Sequence, residues 1–218
     1  MAAKVLAIAQ QKGGAGKTTI AIQLGVAWAC QGLRVAAFDV DPQGSLIAWY
    51  GFRKTMGLDT PLVAVDVQGW KLSTEIDRMK GSYDVLIIDT PPHAETDARV
   101  AVRAASLILV PLQPSPMDLW ATKPTLELAR REKNRSLLVL NRVPARGKLA
   151  DIIRGKIAEE GMPLADSPLG NRSAFAASMM EGKGVVETQP KGAAAREIRG
   201  LADEISGILG LKARHAAE

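Results

Sequence analysis

Eight consecutive residues, Lys12-Gly13-Gly14-Ala15-Gly16-Lys17-Thr18-Thr19, carry the clearest chemical signal in the chain. Glycines at 13, 14 and 16 permit a turn tight enough to aim successive backbone N–H groups into one concavity, which suits a polyphosphate. Lys17 adds a point charge for the β- and γ-phosphates, and the Thr18 hydroxyl is offered to Mg²⁺. The apolar run Val5-Leu6-Ala7-Ile8-Ala9 just ahead predicts a buried strand. A helix opening near Lys17 turns the positive end of its dipole toward the same anion. Strand, loop and helix in that order are what a phosphate-binding loop requires, so Gly13, Gly14, Ala15, Gly16, Lys17, Thr18 and Thr19 are read as nucleotide-binding.

Transfer of a phosphoryl group from ATP to water needs charge neutralisation, a placed Mg²⁺ and a held water in line with the β–γ bridge. Lys17, Thr18 and the loop amides supply the first two. Asp89 ends the aliphatic run Val85-Leu86-Ile87-Ile88 and precedes Thr90-Pro91-Pro92, where two prolines forbid continuation of a strand. An acid there reaches the sheet edge that carries Thr18 and reads as a Mg²⁺ ligand. Asp39 and Asp41 follow a second run, Leu33 to Phe38, and are candidates for orienting the attacking water. The plain alternative for Asp41 is an Asx turn ahead of Pro42. His93, on the segment after Asp89, is given no chemical role.

The elements that must position these residues alternate along the chain. Strands are expected over residues 4–10, 33–38, 62–67, 83–89, 106–112 and 136–140. Helices are expected over 17–31, 70–80, 117–132, 149–160, 173–180 and 193–209, with Pro124 a kink or break and with Ile152, Ile153 and Ile157 inward. The stretch around Trp49, Tyr50 and Phe52 reads as less regular, and 163–169 as extended. Such alternation predicts an α/β fold, a doubly wound, mostly parallel sheet with helices on both faces. A chain of 218 residues with 47% hydrophobic content fits one P-loop ATPase domain over 1–218. No internal repeat or low-complexity linker stands out.

Lysine and arginine number 28 against 23 acids, a net charge of +5. The excess gathers between Thr122 and Lys156, including Lys123, Arg130, Arg131, Arg142, Arg146, Lys148, Arg154 and Lys156, opposed by Glu127, Glu132 and Asp151. Such a field attracts DNA phosphates without sequence preference, or simply solubilises a surface. Cys30 is the single cysteine, which rules out an intrachain disulfide or paired-cysteine cluster; it is expected to fill space on the first helix. No signal-peptide pattern is present, and no apolar run reaches the ~20 residues that span a bilayer, so a cytoplasmic protein is expected.

Within the loop, Gln11 stands where a G-x-x-x-x-G-K-T pattern would open, and Lys12 adds a second lysine at the entrance. K-G-G-x-G-K-T-T resembles the deviant Walker A box of the ParA/MinD family of ATPases. The resemblance implies that Lys12 reaches across a two-fold axis to the nucleotide of a second subunit, making an ATP-sandwich homodimer. Asp39-Val40-Asp41-Pro42-Gln43-Gly44 is similar to the family's box after the second strand, which implies that Asp41 lies near the attacking water. Asp89-Thr90-Pro91-Pro92 resembles its Walker B segment. Asn141 matches a position implied to contact adenine. Gln113-Pro114-Ser115-Pro116-Met117-Asp118-Leu119 is similar to the proline-rich assembly segment of small plasmid ParA proteins of the ParF type. Those proteins also begin at the first strand, so operator binding by a preceding domain is not expected.

The resemblance implies ATP and Mg²⁺ as cofactors, a homodimer, nonspecific DNA of the nucleoid, and a ParB-type or other cargo-bound activator. Arg172, Lys183, Lys191, Arg196 and Arg199 are possible DNA contacts. The leading expectation is a partition ATPase that segregates a plasmid or chromosome. The alternative is a positioning ATPase for a protein cargo, such as a chemoreceptor cluster or microcompartment, or a MinD-like division-site regulator. The last needs a terminal amphipathic membrane helix. The stripe Leu201, Ile205, Ile208 and Leu209 is flanked by Asp203 and Glu204 and followed only by Lys212 and Arg214, so it is expected to pack on the core, without stable membrane association.

Overall fold

The computed structural model describes residues 2–92 and 95–212. Among them six strands build one sheet: β1 (Lys4–Ile8), β2 (Val35–Asp39), β3 (Leu62–Asp66), β4 (Val85–Asp89), β5 (Leu107–Leu112) and β6 (Ser136–Leu140), in the order β3-β2-β4-β1-β5-β6. Every neighbouring pair is parallel. The strands are apolar almost throughout because helices cover both faces.

Alternate strand residues divide between two cores. Leu6, Ile8, Val35, Ala37, Ile87 and Leu109 pack under α1 (Lys17–Cys30), α2 (Ser45–Thr55), α7 (Ser173–Met180), α8 (Val185–Thr188) and α9 (Ala193–Leu209). Val5, Ala7, Ala36, Phe38, Ile88 and Val110 pack against α3 (Leu72–Met79), α4 (Glu95–Ala104), α5 (Pro116–Arg131) and α6 (Leu149–Glu159). Leu201, Ile205 and Leu209 of α9 are buried in the first core, and Ile208 packs against it. The Trp28 indole donates to the Ser206 hydroxyl at 3.0 Å, joining α1 to α9.

Register decides where the acids meet. Asp39 pairs with Asp89, and Asp89 with Ile8. Both carboxylates therefore stand at the C-terminal sheet edge beside the exit of β1, from which the phosphate-binding loop departs, as ligand sites in open α/β sheets do.

Several local expectations change. The segment around Trp49, Tyr50 and Phe52 is helical: Gly44, at φ 62, opens α2, and Leu46, Trp49 and Arg53 are buried at helical spacing. An arginine in a core position disguised the stripe. Between Pro92 and Ser106 lies α4, which the sequence reading passed over; its fully buried apolar residues include Ala101 and Val102, a short stripe. Helix α5 runs through Pro124 unbroken, held by buried residues on either side of it such as Leu119 and Ala129. On α6, Ile153 and Ile157 are buried but Ile152 is exposed, because consecutive helical residues diverge by about 100°. Cys30, at the last turn of α1, is exposed rather than packed. His93 and Arg214 lie outside the described residues.

Candidate nucleotide-binding site

The loop between β1 and α1 takes the shape its glycines allow. Gly14 and Gly16 have φ of 76° and 92°, left-handed values that other residues resist. A Cβ on Gly16 would also collide with the Asn141 amide. Lys17 is buried, and its ammonium donates to the Gln10 carbonyl at 3.0 Å, at the strand exit. Burial pushes the Lys17 pKa down, against the opposing charges of Asp89 and Asp41. Ala15 is buried, whereas Thr18 and Thr19 are half-buried and Gly13 and Gly14 exposed.

Asp89 is 1% exposed, and neither carboxylate oxygen has a hydrogen-bond partner of ordinary geometry. Burial pushes its pKa up to about 7, against the neighbouring Thr18 hydroxyl; the charges of Asp39 and Asp41 add to the rise and Lys17 opposes it. Two buried, unpartnered carboxylate oxygens beside a hydroxyl are hard oxygen donors of the kind Mg²⁺ takes. The Thr90 hydroxyl, next in sequence, donates to the Ile8 carbonyl at 2.9 Å and locks the end of β4 to β1.

Asp39 behaves differently. Its Oδ2 accepts the N–H groups of Leu46 (3.0 Å) and Ile47 (3.1 Å), and its Oδ1 that of Asp41 (3.2 Å). Burial raises its pKa, and these backbone donors hold the rise in check. One oxygen thus fixes the first turn of α2 and the other the backbone at Asp41, so Asp39 positions the segment rather than presenting a free base. Asp41 Oδ1 accepts the Gln43 N–H at 3.0 Å, which is the Asx turn weighed above. The turn and a charge facing Lys17 coexist on that half-buried side chain.

Lys12 does not stand free at the loop entrance. Its ammonium contacts Asp118 Oδ2, at the first turn of α5, at 2.5 Å. Ser115 caps α5, accepting the Asp118 N–H at 3.1 Å, with Pro116 at the first helical position. Gln113 reaches the Gly14 carbonyl at 3.5 Å. The proline-rich segment is therefore in contact with the loop of its own chain.

A cavity of about 870 Å³ opens from Gly16 and Thr19 and runs between Asn141 and the segment Gly170 to Ser173, toward Phe175 and Met179. Its position beside the phosphate loop suits a nucleoside. Asn141 donates from Nδ2 to the Ala15 carbonyl at 2.8 Å and accepts the Arg142 N–H at 2.9 Å. The amide nitrogen braces the loop and the amide oxygen the turn after β6, so an adenine contact would have to share them. Arg142 adopts φ 53, a strained value for a non-glycine at the cavity wall.

Of the wall at Gly170 to Ser173 only Arg172 was singled out from sequence, and for DNA rather than for this cavity. Gln23 left a signal: it is a polar residue on the apolar side of α1, 1% exposed. Its amide bonds to the Phe175 carbonyl (3.4 Å), the Ser178 hydroxyl (3.0 Å) and the Val185 N–H (2.8 Å), tying α1 to α7 and α8 behind the cavity.

The basic residues separate into two groups. Lys123 faces Glu160 at 3.5 Å, Arg172 faces Glu197 at 2.6 Å, and Lys183 faces Glu181 at 3.3 Å. Arg172, at the cavity wall, and Lys183, both expected on DNA, are thus paired with acids of their own chain. Arg142, Arg146, Lys148 and Lys156, around the exit of β6 and along α6, are exposed and make no ion pair among the described residues. Arg196 bonds to the Lys191 carbonyl and Arg199 to that of Pro190, and neither makes an ion pair among the described residues. No helix among the described residues is long and apolar enough to cross a membrane.

A protein-family model described as the CobQ/CobB/MinD/ParA nucleotide binding domain matches residues 6–186. The chain belongs to that family. Among MinD/ParA relatives, the maintenance of carboxysome distribution protein A of Halothiobacillus neapolitanus is 31% identical over 215 residues, covering 94% of each chain. The chromosome partitioning protein ParA of Caulobacter vibrioides is 33% identical over 149 residues, covering 50% of this chain and 56% of its own. In fold, the chain is similar to the septum site-determining protein MinD of Pyrococcus horikoshii, solved with Mg-ADP. That match has a TM-score of 0.82 at 22% identity and covers 97% of this chain and 99% of the other. The ParA/MinD resemblance stands at the level of the family, not of the ParF type in particular.

Proposed function

We propose that residues 1–218 form one ATPase domain that positions a large protein assembly, pairing as an ATP sandwich on nonspecific DNA and releasing on hydrolysis. The observation that carries the ATP–Mg²⁺ reading is Asp89, whose two buried oxygens lack partners beside Thr18 and the loop lysine. Thr18 and Asp89 would hold Mg²⁺ there, directly or through its waters, and the ion would neutralise charge between the β- and γ-phosphates. The loop amides and Lys17 cradle the phosphates, and Asn141 keeps the loop in shape. Asp41 orients the attacking water, assisted by Asp39, which fixes the turn. Lys12 contributes from the second copy.

The cargo reading rests on the relatives. The match to the carboxysome distribution protein spans nearly both chains at 31% identity, whereas relatives named for chromosome partitioning either span about half of each chain or, over a similar length, fall to 27% identity. Similarity therefore favours a protein cargo, with a cargo-bound activator, over the plasmid or chromosome first expected. Chromosome or plasmid segregation is the second reading, supported by the chromosome-partitioning relatives, one of which also spans nearly both chains.

Purified protein should hydrolyse ATP slowly and only with Mg²⁺. It should sediment as a dimer with ATP but not ADP, and bind duplex DNA in that state alone. Lys17→Ala should lose turnover and pairing together. ATP turnover that persists in Lys17→Ala, or a chain indifferent to ATP, would overturn the reading.

A further inference from the structure

Lys12 is the group through which one copy would reach the nucleotide of the other, so its place in the single chain sets what pairing must undo. It sits on its own Asp118, with Nζ 2.5 Å from Oδ2. The lysine side chain is 39% exposed and the aspartate side chain 4%. Asp118 is also held by the Ser115 hydroxyl, which donates to the same Oδ2 at 2.6 Å, and by the Gln113 N–H, which reaches Oδ1 at 3.4 Å. All of these donors except Lys12 belong to the segment 113–118, stiffened by Pro114 and Pro116 and closed by the Asp118 N–H on Ser115. The carboxylate is therefore fixed to α5. The ammonium is the movable member, on a long stem at the edge of a glycine-rich loop.

An ammonium in contact with a carboxylate brings almost no net charge to a third group. To neutralise a γ-phosphate on a second copy, Lys12 must leave Asp118. The carboxylate then stays nearly buried with only a hydroxyl and one backbone N–H, which opposes the separation. The geometry points to Asp118 as a positioning residue that latches Lys12 in cis. It thereby raises the protein concentration at which ATP pairs two copies. This inference rests on the reading of Lys12 as the lysine that acts in trans.

The test is sedimentation of the wild type, Asp118→Asn, Asp118→Ser, Asp118→Glu and Lys12→Ala, each with Mg²⁺ and a slowly hydrolysed ATP analogue. Melting curves confirm that each variant is folded. With the charge removed, Asp118→Asn should pair at about tenfold lower protein concentration than the wild type. Asp118→Ser should shift the same way, should the amide not be tolerated. Asp118→Glu, which keeps the charge, should pair as the wild type does. The protein concentration giving half-maximal ATP turnover should fall in parallel for the neutral variants, a shift that a merely structural aspartate would not produce. Neutral variants that pair no more tightly than a wild type that does pair overturn the latch alone. A wild type that stays single with the analogue overturns the trans role of Lys12, and the latch with it.

Discussion

Asp89 shows what one residue contributes before any ligand arrives. Burial removes its carboxylate from water, and among the described residues only the neighbouring Thr18 hydroxyl sets itself against that loss, without ordinary hydrogen-bond geometry. Its pKa is pushed up to about 7 from the ordinary 3.8, so the folded chain holds the proton more tightly than the unfolded one. The sign follows from linkage. The stability linked to that proton is complete below about pH 4 and is lost as the pH rises to about 7. Without nucleotide and Mg²⁺, Asp89→Asn should therefore melt higher than the wild type by about 5 °C at pH 8, and the gap should narrow at pH 5. Thermal melts at the two pH values check this, and a gap that is equal or reversed would mean that Asp89 finds partners in solution. Much of the site was legible at this scale: glycines, a lysine and a hydroxyl in one motif, and an acid at the end of an aliphatic run, announce their chemistry by type and spacing. Asp39 and Asn141 were not legible in the same way, because a side chain's hydrogen bonds to distant backbone leave no mark in its neighbours.

At the scale of elements, α2 shows how a core position can hide in a sequence. Arg53 is 1% exposed, and its guanidinium donates to Glu187, to the Gly182 carbonyl and to the Thr60 hydroxyl, with Trp49 beside it. One side chain thus joins α2 to α8 and to the approach of β3. An arginine suggested an exposed face, and only its partners from residues 60, 182 and 187 make burial tolerable. Arg53→Met should cost about 3 kcal/mol and lower the melting temperature by roughly 10 °C, since Glu187 is left without its bidentate partner. Calorimetry measures this directly; a variant as stable as the wild type would show that packing, not the ion pair, holds α2. Elsewhere local signals sufficed. β6 and α7 fall where alternation and spacing put them, and α5 starts at the Ser115-Pro116 cap. The missed α4 is short and lightly apolar, so neighbouring helices rather than its own pattern make it helical.

For the molecule as a whole, charge distribution is what a DNA-associated cycle would use. Arg146 and Lys148 lie in the exposed turn leading to α6, with no ion pair among the described residues. Replacing both with alanine should weaken nonspecific DNA binding by the ATP-bound dimer and reduce the slope of log Kd against log salt by about 4, two cations from each copy, leaving ATP-dependent pairing intact. Salt titrations of binding, with sedimentation as the control, decide it; an unchanged slope would move the DNA surface to Lys191, Arg196 and Arg199 instead.

Composition, alternation and one motif determined the α/β class and the phosphate loop, because strand burial, helix periodicity and glycine-rich turns are local consequences of residue type. Register and long-range packing decided the rest. Asp39 and Asp89 are 50 residues apart in the chain and meet only because β2 pairs with β4 in parallel. Lys12 finds Asp118 only because β5 lies beside β1 and delivers the start of α5 to the loop. Such contacts depend on which strands adjoin, and no run of residues encodes that order.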